Sequence, residues 1–297
     1  MSCCDHRVLV TGATGLIGRE LANPLKRAGF EVHAVSRDIP VSAQGFVWHR
    51  GSLFDEDFIR RVIREVRPSH LLNLAWCTTG DYLTSDLNAR FLAAGEALAR
   101  HFVAAGGCRA VYAGTCFEYK LGKVPLSEND ELDALKNPYV RCKDELRRRA
   151  TGIFSRAGVS FAYGRIFYVF GRGEPNSRLT GMVLEKLLRE ERVTIKAGPL
   201  AKDYIYAKDV AASFVALLRA PVEGPVNVCT GRAITIRDFV MTIARRIGRV
   251  DLVAFEDDCA NQPPMIVGDN TRLTDEVGYR PQWTIDQAVA DLLCPRN

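Results

Sequence analysis

Near its start the chain reads Val8-Leu9-Val10-Thr11-Gly12-Ala13-Thr14-Gly15-Leu16-Ile17-Gly18, an apolar run that leads into three evenly spaced glycines. The apolar run is typical of a short buried strand, and the glycines predict a tight turn after it. Leu21 and Leu25 continue in helical spacing until Gly29, which predicts a helix that ends there. Residues 30–35 then predict a second strand. A strand, helix and strand of about 30 residues is the size of one parallel crossover unit.

The same alternation continues to residue 163. The further predicted strands are 46–48, 70–74, 110–113 and 159–163, and the predicted helices are 57–66, 88–105 and 138–155. Such alternation predicts an α/β fold with a doubly wound parallel sheet of the Rossmann type. After about Arg165 the rhythm loosens, with turn-forming clusters at 171–176 and 221–225. We therefore predict a Rossmann domain over 1–166 and a smaller C-terminal α/β substrate lobe over 167–297, from which some segments return to the first domain.

The composition is that of an ordinary globular protein. Of 297 residues, 47% are hydrophobic and 25% are charged, which leaves little room for a long disordered tail. The formal charge is +5, and basic residues are interspersed with acidic ones. The densest basic run, 147–149, is interpreted as a solvated helix face. This charge pattern favours an anionic small molecule as the partner and argues against nucleic acid.

Cysteine usage and the N-terminal residues bear on the compartment. The nine cysteines are an odd number without a C-x-x-C pair, which argues against a disulfide framework and against a zinc or other metal site. Free thiols fit a reducing cytoplasm. The first residues lack the pattern of a signal peptide, and no stretch approaches the roughly 20 apolar residues that span a bilayer. The sequence therefore predicts a cytoplasmic protein without a membrane partner.

The three glycines also predict a nucleotide site. Gly12, Gly15 and Gly18 follow a strand and open a helix, where they permit a tight turn, close approach of the backbone to a pyrophosphate, and close packing of helix on strand. The N-terminus of that helix offers amide donors to phosphate oxygens. We predict that this loop, with Thr14, Leu16 and Ile17 as further contacts, binds NAD(P).

The end of the second predicted strand bears on the choice between the two cofactors. An acidic residue about 20 positions after the glycines binds the ribose 2′-hydroxyl when NAD is used. Here the residues are Ser36, Arg37 and Asp38, and the first two suit a 2′-phosphate. NADP(H) is therefore the preferred cofactor, while Asp38 leaves NAD(H) possible.

Tyr139 and Lys143 form a Y-x-x-x-K pair, preceded by Asn137 as a helix N-cap and Pro138 at the first helical position. Four residues of separation place both side chains on one helix face. A tyrosine with a pKa of about 10 is a poor acid or base at neutral pH unless a nearby cation favours the phenolate. We predict that Tyr139 transfers a proton and that Lys143 lowers its pKa.

These motifs together resemble the extended short-chain dehydrogenase/reductases, the NAD(P)-dependent epimerase/dehydratase family that acts on nucleotide sugars. Residues 10–18 resemble its TGxxGxxG loop, 72–75 its strand beside the cofactor, Asn88 the asparagine after that strand, and 202–211 its R-D-F-x-x-V-x-D-V-A segment. The resemblance covers nearly the whole chain and implies a homodimer through the helices at 88–105 and 139–155. Further expected cofactor contacts are Ser52, Leu53, Leu74, Ala75, Trp76 and Asn88.

Residues 112–119 resemble the S-S-x-x-x-Y-G stretch of the family, with Thr115 at its active position. The resemblance implies a catalytic triad of Thr115, Tyr139 and Lys143, in which the Thr115 hydroxyl binds the substrate oxygen. Hydrogen bonding of Thr115 to the backbone of its own turn is the alternative.

The residues after Thr115 bear on the reaction. Family dehydratases carry an acid and a base there, whereas this chain has Cys116 and Phe117, with Glu118 one place late. Cys116 is read as a packing thiol, or alternatively as a base. The chain is closest in type to nucleotide-6-deoxyhexose 4-ketoreductases, so we predict NADPH-dependent reduction of a keto group. A nucleotide-sugar 4-epimerase that retains NAD is the alternative, followed by a dehydratase or a non-catalytic NADP-binding protein.

Several residues are candidate contacts to a nucleotide-sugar substrate. Lys202 stands where the family has arginine and can pair with a diphosphate only as a point charge. Tyr168 replaces a family asparagine, and Trp76 replaces a small residue. Either both line a pocket whose shape differs from that of the family, or both are aromatic residues of the core. The predicted substrate contacts are Cys116, Tyr168, Arg178, Lys202 and Arg272.

Overall fold

The computed structural model describes residues 6–39, 45–133, 135–256 and 263–294. Its strands are β1 (Arg7–Thr11), β2 (Glu31–Ser36), β3 (Val47–Arg50), β4 (His70–Asn73), β5 (Arg109–Thr115), β6 (Ser160–Ile166), β7 (Tyr168–Phe170), β8 (Val193–Ile195), β9 (Ala201–Lys202), β10 (Tyr204–Tyr206), β11 (Gly224–Val228), β12 (Ile234–Thr235), β13 (Val253–Phe255) and β14 (Met265–Ile266). Its α-helices are α1 (Ala22–Arg27), α2 (Glu56–Val66), α3 (Leu87–Ala104), α4 (Pro138–Arg156), α5 (Leu179–Leu188), α6 (Ala207–Arg219), α7 (Ile236–Ile247) and α8 (Ile285–Leu293).

Seven of these strands form one parallel sheet in the order β11-β6-β5-β4-β1-β2-β3. The chain runs outward from β1 through β2 to β3 and then returns to β4 on the other side of β1. In such sheets ligands bind outside the carboxyl ends of the strands, where the strand order reverses. The predicted doubly wound α/β fold is confirmed.

Both faces of the sheet are covered by helices. Val8 and Val10 pack into a core that includes α1 and α6, whereas Leu9 packs into a second core with α2, α3 and α4. Successive side chains of a strand point to opposite faces, so a continuous apolar run serves both layers.

The first helix is shorter than the sequence pattern predicts. Gly18–Glu20 forms a 3₁₀ turn, and α1 begins only at Ala22. Pro24 accounts for the difference because it lacks an amide hydrogen and its ring would clash with the carbonyl of Glu20 in a continuous α-helix. Within the first turn of α1, the missing hydrogen has no intrahelical partner to lose.

A third apolar core lies outside the main sheet, between α5, α7 and α8. Short strand pairs, β7 with β10 and β8 with β13, border it. The later elements β11 and α6 return to the main sheet and its covering layer. The division of the chain into two domains at residue 166 stays a prediction.

The described residues bear on two expectations from the sequence, namely reduced cysteines and the lack of a membrane-spanning segment. The thiols of Cys77, Cys116, Cys142, Cys229 and Cys294 are free, whereas Cys108 is disulfide-bonded, which departs from the expectation of reduced cysteines. Within the described ranges, no helix combines the length and the apolar character needed to cross a bilayer.

Candidate active site

A cavity of about 940 Å³ lies beyond the carboxyl ends of β1, β4 and β5. One wall is the glycine-rich loop after β1, a second is the start of α4, and a third comes from residues 168–204 of the later part of the chain. The cavity thus lies where the strand order of the sheet reverses.

The glycine-rich loop excludes side chains at two positions and leaves room at a third. Gly12 has φ +73°, and a Cβ there would lie 2.8 Å from the backbone nitrogen of Ala75. A Cβ at Gly18 would lie 2.1 Å from the carbonyl oxygen of Gly12. A Cβ at Gly15 would meet only that same oxygen, at 3.2 Å, and Gly15 lines the cavity. The bare backbone at Gly15 therefore fits an approaching pyrophosphate, as in dinucleotide-binding loops.

The predicted cofactor contacts fall into two groups. Those that line the cavity are Gly12, Gly15, Leu16, Ile17, Gly18, Leu74, Trp76, Tyr139 and Lys143. Those outside its lining are Thr14, Ser36, Arg37, Ser52, Leu53, Ala75 and Asn88. Of the second group, Ser36 is the last residue of β2, the strand next to β1, and Arg37 follows it and is exposed.

Asn88 supports the cavity wall without lining it, and its contact with the cofactor stays a prediction. Its amide oxygen accepts a hydrogen bond from Trp76 Nε1 at 2.8 Å, and its amide nitrogen donates to the carbonyl of Tyr82 at 2.7 Å. Asn88 is buried, and these bonds hold the loop between β4 and α3.

Thr115, Tyr139 and Lys143 meet in the cavity. Thr115 ends β5, whereas the other two lie in the first turns of α4, whose N-terminus is capped by a hydrogen bond from Val140 N to Asn137 Oδ1 (3.0 Å). The Thr115 hydroxyl lies near the Tyr139 hydroxyl and lowers its pKa, against the larger opposite effect of burial. Thr115 Oγ1 also accepts a hydrogen bond from the backbone nitrogen of Phe117 at 3.3 Å, so the alternative predicted for it occurs alongside.

The Lys143 ammonium is directed at the protein and not at Tyr139. It donates to the carbonyl oxygen of Ala113 at 2.7 Å and lies 4.2 Å from the centroid of the Trp76 ring, within the range of a cation–π interaction. Trp76 also stacks on Phe91, with 5.5 Å between the centroids. The tryptophan that replaces the small family residue is therefore in direct contact with the lysine.

Burial dominates the electrostatics of this pair. Burial raises the pKa of Tyr139, and the smaller effect of Thr115 lowers it. Burial also lowers the pKa of Lys143 from 10.5 to about 7, while the charge of Glu118 raises it. In the unliganded protein burial thus favours the protonated phenol, and the predicted lowering of the Tyr139 pKa by Lys143 stays a prediction for the protein with its ligands bound. A protonated phenol beside a threonine hydroxyl can donate a proton to a carbonyl oxygen.

The two ionisable residues after Thr115 are both buried. Burial raises the pKa of the Cys116 thiol, which is 2% exposed. The Glu118 carboxylate is fully buried; it accepts hydrogen bonds from the amide of Thr115 (3.1 Å) and the hydroxyl of Tyr163 (2.8 Å), and pairs with Arg165 at 2.9 Å. Phe117, between them, lines the cavity.

The candidate substrate contacts separate into two groups. Cys116, Tyr168, Arg178 and Lys202 line the cavity. Lys202 is 6% exposed, its ammonium lies 5.6 Å from the Tyr168 ring centroid, and it has no hydrogen-bond or ion-pair partner among the described residues. Burial lowers its pKa, so an anion in the cavity would gain from pairing with it.

Arg272 is not among the residues that line the cavity, so its contact with a substrate stays a prediction. Its guanidinium pairs with Glu276 and donates to the backbone carbonyls of Glu223 and Pro225, where it ties the chain to β11. A guanidinium whose donors are used in this way is a structural clamp.

The cavity wall also contains residues that were not predicted from the sequence, among them Tyr82, Lys196 and Glu174. Tyr82 packs edge-on against the Tyr139 ring, with 5.1 Å between centroids. Lys196 and Glu174 line the cavity from the later part of the chain. All three follow short strands or lie in loops, where sequence pattern predicts a turn but not its direction.

Comparison with known proteins adds to this geometry. Residues 8–229 match the model of the NAD-dependent epimerase/dehydratase family. The chain belongs to this family. A dTDP-6-deoxy-L-talose 4-dehydrogenase (NAD(P)(+)) of Kitasatospora kifunensis is 28% identical, over 96% of this chain and 94% of that protein. A dTDP-4-dehydro-6-deoxyglucose reductase of Escherichia coli is 21% identical, over 99% and 98%.

Solved structures in the epimerase/dehydratase family share the fold. The crystal structure of a UDP-glucose 4-epimerase with UDP-glucose from Thermotoga maritima has a TM-score of 0.85 against this chain, at 19% identity, and the match covers 95% of this chain and 96% of that one. At this identity the likeness concerns the fold. Family members are NAD(P)-dependent enzymes of nucleotide sugars.

Proposed function

We propose that this protein reduces a keto group of a nucleotide-linked deoxysugar, at C4, with NADPH. The supporting observation is that the cavity holds a protonated phenol next to a threonine hydroxyl, while the carboxylate and the thiol that follow Thr115 are buried. Reduction of a ketone needs one proton donor at the carbonyl oxygen. Dehydration needs both an acid and a base, but the Glu118 carboxylate is already paired with Arg165 and burial favours the protonated thiol of Cys116.

In this proposal each residue of the triad has a separate task. A bound nicotinamide cofactor supplies the hydride. Tyr139 donates its proton to the carbonyl oxygen, and the Thr115 hydroxyl donates a hydrogen bond to the same oxygen. Lys143, when charged, stabilises the phenolate that remains. Lys202 and Arg178 pair with the diphosphate, and Tyr168 forms the wall beside it.

A 4-epimerase that retains NAD is the second candidate. The observation in its favour is that oxidation and return reduction at one carbon use the same three residues and need no second base. The two functions differ in whether the nicotinamide is consumed. The homodimer and the cytoplasmic location stay predictions for either function.

The reductase proposal predicts that the protein oxidises NADPH in the presence of a dTDP- or UDP-linked 4-keto-6-deoxyhexose. Absorbance at 340 nm is expected to fall in proportion to the ketone added, because each turnover consumes one hydride. The control is the matching 4-hydroxy nucleotide sugar, which should leave the absorbance unchanged. Constant absorbance with every ketone, together with interconversion of 4-hydroxy epimers, would establish the epimerase instead.

The cofactor preference predicts that NADPH binds more tightly than NADH and that Arg37→Ala weakens NADPH binding by about 10-fold, the loss of one charge-assisted contact to the 2′-phosphate. The affinity for NADH should stay the same. Fluorescence titration measures both dissociation constants, and Arg27→Ala, an exposed arginine of α1, is the matched control. Tighter binding of NADH to the wild-type protein would contradict the preference.

A further inference from the structure

Glu174 lies in the wall of the cavity, in the loop between β7 and α5. Its Oε2 atom is buried and has no hydrogen-bond partner; among the described residues it is the only buried side-chain oxygen in that condition. Native proteins pair nearly all buried polar atoms, so each exception calls for an explanation.

The groups around Glu174 satisfy only part of the hydrogen-bonding capacity of its carboxylate. Burial raises its pKa, while the nearby Thr180 hydroxyl and Gly171 amide act in the opposite direction. Arg178 acts on it through its charge, but no described cation lies within ion-pair distance of the carboxylate. An incompletely paired carboxylate in such a place costs stability in the unliganded protein.

The backbone holds Glu174 in this position. The amide of Glu174 donates to the carbonyl of Gly171 at 3.3 Å. A Cβ at Gly181 of α5 would lie 2.5 Å from the carbonyl oxygen of Glu174, so the helix packs directly on the loop. On the other side, a Cβ at Gly171 would lie 3.1 Å from a methyl carbon of Leu16. The unpaired oxygen is thus built into a fixed loop.

We propose that Glu174 is a specificity-determining residue that accepts a hydrogen bond from an O–H or N–H group of the nucleotide sugar. Phosphate oxygens are excluded as its partner because they carry the same sign of charge. The charge of Glu174 acts on Tyr204, and Arg178, one of the two cations proposed for the diphosphate, acts on Glu174 through its charge. A ligand without the donor would leave the carboxylate unpaired, which is a strong basis for rejection.

The inference rests on the proposed binding of a nucleotide sugar, and binding measurements test it. Isothermal titration of UDP, dTDP, UDP-glucose and NADPH is carried out with the wild-type protein, Glu174→Gln and Glu174→Ala. We expect both variants to lose about 10- to 100-fold in affinity for the nucleotide ligands, as for a hydrogen bond to a charged group, and to keep their affinity for NADPH. Equal losses for UDP and UDP-glucose assign the donor to the nucleoside, and a loss for UDP-glucose alone assigns it to the sugar.

Thermal unfolding without ligand supplies a second readout. We expect Glu174→Gln to raise the melting temperature by about 2 °C, because it removes a poorly paired buried charge. Glu191→Gln makes the same chemical change at an exposed position and should leave both readouts unchanged. A lower melting temperature with unchanged nucleotide affinity would show a structural role, and a loss confined to NADPH would assign Glu174 to the cofactor.

The outcomes separate this inference from the proposed function. Unchanged nucleotide affinity in Glu174→Gln overturns the inference alone. Absence of ketone reduction, with nucleotide affinity still lost in the variant, overturns the reductase and leaves the inference standing. A wild-type protein that binds none of the nucleotides overturns both.

Discussion

Replacing Tyr139 by phenylalanine is expected to lower kcat of ketone reduction by about 10³-fold, within the range for loss of a general acid. The variant removes only the hydroxyl, since the ring can keep its edge contacts to Tyr82 and Trp76, whose centroids lie 5.1 and 6.2 Å away. KM for the ketone should change little, because the lost interaction is made chiefly in the transition state. Steady-state kinetics with NADPH measures both constants.

Tyr112→Phe is the matched control for Tyr139. Its buried hydroxyl donates to the carbonyl of Gly95 at 2.9 Å, away from the cavity. This variant should lose about 1 kcal/mol of stability, as for one buried hydrogen bond, and keep its kcat. Turnover of Tyr139→Phe at the wild-type rate would mean that another group donates the proton.

Lys143→Met is expected to lower kcat by about 10²-fold and at the same time to stabilise the protein by about 1–3 kcal/mol at pH 6. Activity falls because no cation remains to stabilise the phenolate of Tyr139. Stability rises because methionine of similar length fills the same buried space without the cost of burying a charge. The lost hydrogen bond to Ala113 and the cation–π contact with Trp76 offset part of this gain.

The stabilisation by Lys143→Met should depend on pH in a defined direction. Burial lowers the pKa of Lys143 from 10.5 to about 7 in the folded protein, so between these values the unfolded chain binds the extra proton. The cost of the buried lysine is therefore complete below pH 7 and is relieved as the pH rises toward 10.5. Urea unfolding at pH 6, 8 and 10 should give a stability difference that shrinks steadily.

Lys208→Met provides the control for this pH series. Lys208 is half-buried and pairs with Asp291 at 2.7 Å, so its removal should weaken the protein slightly at all three pH values. A stability difference for Lys143→Met that stays constant from pH 6 to pH 10 would contradict the lowered pKa of this lysine.

The residues proposed for catalysis were predictable because their patterns are local. A helix places Tyr139 and Lys143 on one face whatever surrounds them, and Asn137 and Pro138 mark where that helix begins. The glycine spacing after β1 follows in the same way from the geometry of a strand, a turn and a helix. Alternating strands and helices then restrict the topology to a parallel sheet, whose carboxyl ends bring these local features together.

Which ionisable side chains are buried or paired depends on contacts between residues far apart in the chain, and local sequence patterns do not show these contacts. Glu118 stands next to the active threonine in sequence, yet Arg165, 47 residues away, pairs with it and removes it from any chemistry. Arg272 was expected in the cavity and is instead bound to backbone carbonyls near residue 224. Trp76 and Ala113 contact the Lys143 ammonium in a buried site that lowers the pKa of the lysine, which helical spacing alone does not predict.

The sequence by itself determined the fold class, the glycine-rich turn after β1 and the shared helix face of Tyr139 and Lys143, because strand alternation and helical spacing act over a few neighbouring residues, whereas Thr115 was assigned from the family resemblance. Tertiary structure alone decided which ionisable groups face the cavity and which are already paired. That choice depends on desolvation and on partners far away in the chain, as the unpaired oxygen of Glu174 and the buried carboxylate of Glu118 illustrate.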